Sequence, residues 1–349
     1  MRVTGFLFAI GLSQLVYGPS TDKHGRKPIL YIGAMIMLAR TLCCLFAPTI
    51  LFFNTGRVIQ GLGAGCFAAT MSTIVRDVTT VEKFTAIWPW MAISYTVLPS
   101  IAPMIGGYLN MFGGWQADFI FMLIFQILLL LGLIFIFKET HHYKDLSATK
   151  IKRVVGIYRW MLFNKYFLLY TLCAIVGFSG LIFFYTVAPF IFIHEYGYSS
   201  VVFGWIAFSL VLFMVMGRLI NSFYSSKKFT TDVNILIFTI VSVIGGLICL
   251  ASFLMPDHAI VLLLVGMMIF CLGTGVTSPN NSTQALNIFQ ENKGFSGALF
   301  GCVYLLSPGV ASAISIFFPD SVYSICGFLF VVSILSLLAI LVIFYLKKR

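Results

Sequence analysis

Arg40 and Arg57 each interrupt a long apolar stretch. An arginine inside a membrane helix costs at least ~2.5 kcal/mol, so each needs a partner, a polar cavity or a route to the interface. They stand at equal offsets on either side of Pro48 and Thr49, which puts each ~12 Å in from that turn at 1.5 Å per helical residue. Two positive charges at one depth repel unless something answers them. Either acid groups on a helix preceding Met1 do so, or Arg40 snorkels outward and Arg57 alone faces a cavity. Proton-coupled chemistry also needs a carboxylate in apolar surroundings. Of the 11 Asp and Glu residues only Asp118 falls clearly within an apolar run. It sits one turn inside the run's edge and reads either as an interfacial carboxylate or as a proton carrier.

Other chemistries lack their residues. There is no Gly-x-x-x-x-Gly-Lys-Ser/Thr loop for a nucleotide, no His-Glu-x-x-His and no paired membrane aspartates, so neither ATP hydrolysis nor an embedded enzyme is expected. His141 and His142 are adjacent and make a poor metal pair, and no metal site or cofactor is expected. Asn281 begins a glycosylation-like triplet but falls at a membrane end. All eight cysteines lie in apolar runs without ligand spacing and read as small hydrophobes.

The elements that must hold these residues follow from composition. With 60% hydrophobic and 9% charged residues, the chain carries too much apolar surface for a water-soluble globule, so the lipid bilayer is its solvent. Only helices can satisfy their backbone there without closing a barrel. Apolar runs near the length of a span occur at about 3–17, 29–47, 50–75, 86–111, 115–137, 166–192, 201–220, 233–255, 259–281, 295–318 and 322–345. Assigning the connections alternately to two sides places every Lys and Arg except Arg2, Arg40 and Arg57 on one side, which is therefore cytoplasmic and includes the C-terminus. This distribution, and not nucleic-acid binding, accounts for the net charge of +11. The same alternation puts residue 1 outside, and the first run is short, so an upstream helix making twelve in total is expected.

The polar stretch between the fifth and sixth runs divides the chain into a five-helix bundle (1–138), a cytoplasmic linker (139–165) and a six-helix bundle (166–349). Gly18 to Asp22 and Gly217 to Asn221, each closing an apolar run in the same orientation, hint at a parallel repeat, although apolar helices ending in Gly also produce such a likeness by chance.

Gly18-Pro-Ser-Thr-Asp22-Lys-His-Gly25-Arg26-Lys27 resembles the first-loop motif of the major facilitator transporters, Gly-x-x-x-Asp-x-x-Gly-Arg-Lys/Arg. Physically, Gly18 permits close helix approach, Asp22 can answer a cation or a helix N-terminus, Gly25 turns the loop, and Arg26 and Lys27 are expected at anionic headgroups. Such a loop would latch one access state. Arg57-Val-Ile-Gln60-Gly61-Leu-Gly63 is similar to that family's fourth-helix motif, which implies that Arg57 tunes protonation of nearby acids. Pro99, Pro103, Gly106 and Gly107 resemble the kinked motif of its antiporter groups, with Ala102 where glycine is usual.

Gln14 to Pro19, Ala102-Pro103 and Pro279-Asn280 narrow the resemblance to drug-resistance transporters of the Bcr/CflA type. Two departures are Gln116 where arginine is frequent and the lack of the family's first helix. The resemblance implies an all-α membrane protein of the major facilitator fold, five plus six helices, exporting small amphipathic molecules by proton antiport, with the proton gradient as energy source and the monomer as working unit. A truncated, non-transporting remnant is the alternative. Aromatic and small polar residues at mid-membrane depth, Trp90, Tyr95, Phe184, Tyr185, Asn280 and Gln284, are the expected substrate-cavity residues.

Overall fold

The computed structural model describes residues 2–46, 49–141, 145, 148–225 and 230–348, and within some helices the side chains of further residues lie outside that description. Pro48, His142, Lys144, Lys227, Lys228 and Arg349 are not among the described residues.

The chain is helical almost throughout. Its helices are α1 (Arg2–His24), α2 (Arg26–Leu45), α3 (Ile50–Val78), α4 (Val81–Phe135), α5 (Ile151–Leu162), α6 (Lys165–Pro189), α7 (Ser200–Ile220), α8 (Thr231–Leu250), α9 (Ala259–Asn287), α10 (Lys293–Ser315) and α11 (Val322–Lys348). Among the described residues, nine helical stretches are long and apolar enough to cross a membrane. The two expected runs not among them, 3–17 and 86–111, fall in α1 and the first leg of α4, where several side chains are outside the description. α1 runs past its apolar stretch to His24, with Thr21 buried and donating its hydroxyl to the Gly18 carbonyl at 2.7 Å.

Local chemistry sets the boundaries. Thr49 caps α3 by accepting from the Phe52 N–H at 3.2 Å, and Ser199 caps α7 in the same way through Val202. The expected outer turn near Gly113 is a break inside α4, with Gly113 at φ −146° and Gly114 at φ +63°, a left-handed conformation that glycine adopts at little cost. The linker differs from the expected polar stretch by folding residues 151–162 into α5, which carries both apolar and basic faces.

Two compact units are present: Met1–Val81 with Ile101–Asn164 and Leu286–Leu306, and Glu82–Ser100 with Lys165–Ala285 and Ser307–Arg349. The first has a core of Ile29, Leu30, Ala34, Cys66 and Leu133. The second is built around Phe183, Phe184, Met267, Phe270 and Leu329. Outward faces are apolar, with Phe135, Ile136, Leu254 and Phe317 strongly exposed, while Gln14, Gln60, Asn221, Asn234 and Asn281 are buried. That inversion suits a hydrocarbon solvent, in which exposed apolar surface costs little and polar groups must find partners inside. All eight cysteines are free thiols.

Candidate functional site

The most developed polar site lies where α1 gives way to α2. Gly18 packs against Gly294 and Ala298 near the start of α10, so closely that a Cβ at residue 18 would overlap the Ala298 methyl. One turn later Asp22 lies against Gly294 in the first turn of α10, where the helix dipole favours a carboxylate. The chain turns at Gly25, whose φ of +98° is a left-handed conformation suited to glycine. A Cβ there would also sit 2.5 Å from Glu139 Oε2. That space is in use, because the Glu139 carboxylate accepts from the Arg26 N–H at 2.9 Å and the Lys27 N–H at 3.0 Å. Glu139 is thus a cap brought in from the linker to the start of α2, which has no side-chain cap of its own.

Arg26 points inward, and its side chain is only 1% exposed. Its guanidinium donates to Asp22 Oδ1 at 2.7 Å, to Thr21 Oγ1 at 2.8 Å and to Asp77 Oδ2 at 3.1 Å. Lys293 approaches the other Asp77 oxygen at 3.7 Å and donates to the Arg76 carbonyl at 2.8 Å. Arg76 in turn donates to the Leu286 carbonyl at 3.1 Å, at the C-terminal end of α9, and to the Lys293 carbonyl at 2.6 Å. The main-chain carbonyl of Asp22 accepts from the Asp145 N–H at 3.0 Å and lies 3.2 Å from His141 Nε2. Segments separated by up to about 270 residues of chain are tied together by charge-assisted bonds, each stronger than a neutral one.

The expectation that Arg26 and Lys27 sit at headgroups is corrected by this geometry. Arg26 is neutralised internally between two carboxylates, and Lys27 Nζ donates to the Phe137 carbonyl at 2.6 Å, just beyond the end of α4, where the dipole favours a cation. Burial pushes the Asp22 carboxyl above its ordinary value, with Arg26 opposing the shift. At Glu139 burial acts in the same upward direction, but the four N–H donors of His141, Arg26, Lys27 and Thr140 outweigh it and hold the carboxyl below the usual range.

Asp77, Arg76, Lys293 and Glu139 were not singled out from sequence. Of these, Glu139 left a legible sign: it follows a span directly, while α2 opens after Gly25 with no Ser, Thr, Asp or Asn to cap it.

The fourth-helix motif forms a separate chain of polar contacts. Arg57 donates to Gln60 Oε1 at 2.7 Å, Gln60 donates to Thr41 Oγ1 at 2.7 Å, and the Arg57 guanidinium lies 4.9 Å from the Phe6 ring centroid. Arg40 lies 5.6 Å from the Phe52 ring, and its Nε is buried without a partner. Among the described residues no carboxylate forms an ion pair with either arginine. Asp118 stands beside Gly106 of the kinked motif, where a Cβ at residue 106 would be 3.5 Å from Oδ1, and that oxygen is buried with no hydrogen-bond donor. Pro99, Pro103 and Gly107 belong to helical α4, but their side-chain positions are outside the described residues, as is that of Tyr95.

The expected cavity residues have diverse surroundings. Phe184 is fully buried in the core of the second unit, stacked near Phe203, and Asn280 exchanges two amide hydrogen bonds with Asn221, at 3.1 and 2.9 Å. Both are engaged in packing. Tyr185 donates its hydroxyl to the Ala207 carbonyl, Gln284 is half-buried, and Trp90 is exposed with its ring 5.2 Å from Phe223.

The family model of the Major Facilitator Superfamily matches residues 1–312. An uncharacterized transporter of Rickettsia bellii is 25% identical, covering all of this chain and 88% of the relative. Multidrug resistance protein D of Escherichia coli is 25% identical over 96% of this chain and 83% of its own length. A bicyclomycin resistance protein homolog of Haemophilus influenzae is 24% identical over 86% and 75%. Among solved structures, a bacterial homologue of the iron transporter ferroportin superposes with a TM-score of 0.79 at 14% identity, covering 100% of this chain and 90% of its own. The proton:xylose symporter gives 0.78 at 12%, covering 99% and 85%. At such identities these two likenesses speak for the fold alone. With its loop motif built as an ion-pair network and its family match running through most of its helices, the chain is a multi-pass membrane transporter belonging to the Major Facilitator Superfamily.

Proposed function

We propose that this protein is a secondary-active exporter of a bacterial inner membrane, C-terminus cytoplasmic, working as a monomer and exchanging an incoming proton for an outgoing small amphipathic molecule. The observation that carries this reading is the network of Asp22, Arg26 and Asp77 with the start of α10. Its groups are satisfied when joined and need water when parted, which suits a latch that holds one access state and releases for the other. Residues 1–138 and 166–349 act as the two bundles of that cycle. The drug-resistance names of several relatives support an exporter of this chemical class.

Proton coupling draws on two places. Asp118 supplies an ionisable group within the membrane span Gly113–Phe135, with one oxygen awaiting a donor. Arg57, Gln60 and Thr41 form a polar relay in which a cation can respond to protonation nearby. The test is uptake of a fluorescent cationic dye by everted vesicles containing this chain, with and without an imposed proton gradient. Gradient-dependent dye accumulation, reduced at least tenfold in Asp118→Asn, supports the reading. Accumulation indifferent to the gradient would remove proton antiport, and an Asp118→Asn chain with normal coupling would remove that residue's role.

A further inference from the structure

Helix α5 presents two different faces. On one, Met161 is fully buried and the Tyr158 hydroxyl donates to the Leu15 carbonyl at 2.7 Å. That carbonyl lies four residues before Pro19, which has no N–H to offer it, so the linker tyrosine answers a helical acceptor that α1 cannot satisfy. The Tyr158 ring also meets Phe295 of α10 edge-on at 5.4 Å, and Trp160 meets Phe289 at 4.7 Å. α5 is therefore held against α1 and α10 of its own unit.

A second face of the helix, beside the one that carries Tyr158, is exposed. At 100° per residue, Ile151, Val155 and Leu162 form a line on α5, Lys152 and Arg159 run together along one side of it, and Phe163 follows at its end. Ile151 is 79% exposed and Phe163 78%, and both cations are exposed as well. In water this face would be an unfavourable apolar patch. Its position indicates another surrounding. Tyr158, in the second half of this ~18 Å helix, bonds to Leu15, two residues before the first apolar run ends at Tyr17, which brings α5 to the end of that run, where headgroups are expected.

We propose that this face of α5 is a binding site for anionic phospholipid, with Ile151, Val155, Leu162 and Phe163 among the acyl chains and Lys152 and Arg159 on the headgroup phosphate. The site stands apart from the exporter reading, since it concerns lipid occupancy and not transport. Its test is photocrosslinking of the full chain in nanodiscs, with a headgroup-diazirine phosphatidylglycerol or the matching phosphatidylcholine, followed by peptide mapping. Labelling of residues 151–163 is expected to favour phosphatidylglycerol at least fivefold, and neutralising either Lys152→Gln or Arg159→Gln should lower it about fivefold, the usual worth of one basic residue at an anionic surface. Ile151→Ser with Val155→Ser should lower labelling by both lipids. Equal labelling by the two lipids, no adduct in this segment, or displacement by soluble glycerol phosphate at lipid-matched concentration would each overturn the assignment.

Discussion

Gly25 and Glu139 act as one unit, since the left-handed turn and the missing Cβ together admit the carboxylate that caps α2. Gly25→Ala is expected to cost about 1–3 kcal/mol through strain and displacement of the cap, seen as a lower melting temperature of the detergent-solubilised chain. The two shifted carboxyls of this loop respond to pH in opposite senses. Glu139 is held below its ordinary value, so its capping contribution is complete above the unfolded value and is lost as pH falls through the depressed folded one. Protection of the Arg26 and Lys27 amides, taken relative to their intrinsic exchange rates, should therefore hold at neutral pH and fall only in acid, whereas in Glu139→Gln it should be lower throughout. Asp22 is raised by burial, so the folded loop favours its protonated form, an advantage present below the ordinary aspartate value and lost as pH rises through the folded one.

At the scale of elements, α5 shows how a break in one helix is repaired by another. Pro19 leaves the Leu15 carbonyl without its helical donor, and Tyr158 supplies one from a segment more than a hundred residues later. Burial pushes the Tyr158 hydroxyl up, so it remains a donor across the whole physiological range. Tyr158→Phe keeps the ring contact with Phe295 and removes only the donor. It should destabilise the chain by about 1–3 kcal/mol, the penalty for a buried acceptor left bare, measured by thermal unfolding in detergent. An unchanged midpoint would mean that water reaches Leu15.

For the whole molecule, the tested consequence is transport. Asp22→Asn leaves Arg26 bonded to Asp77 and Thr21 but weakens the contact at the start of α10. The variant is expected to insert and accumulate like the parent while its dye transport falls at least tenfold, and full activity would count against the latch. The echo between Gly18 to Asp22 and Gly217 to Asn221 has a structural counterpart in each unit. Gly18 closes on Gly294 and Ala298, whereas Gly217 closes on Leu272 and Gly275. Asp22 enters an ionic network, whereas Asn221 pairs with Asn280 as neutral amides. One local pattern thus serves a charged contact in the first unit and a neutral one in the second.

Fold class, the approximate positions of the helices and the loop motif were legible because hydropathy and turn chemistry are local properties. A bilayer demands long apolar helices whatever their neighbours, and glycine at 25 or 114 is called for by the backbone at that point. Partners were not legible, because charge pairing and burial depend on residues far away in the chain. Arg26 looked like a headgroup anchor until Asp22 and Asp77 enclosed it, and Phe184 and Asn280 had the right depth for a cavity but are taken up by packing. α5 escaped notice because a short stretch of twelve mixed apolar and basic residues resembles any polar linker. Only the tertiary structure, by placing Tyr158 under the Leu15 carbonyl, decided which of its faces is buried and which is left exposed.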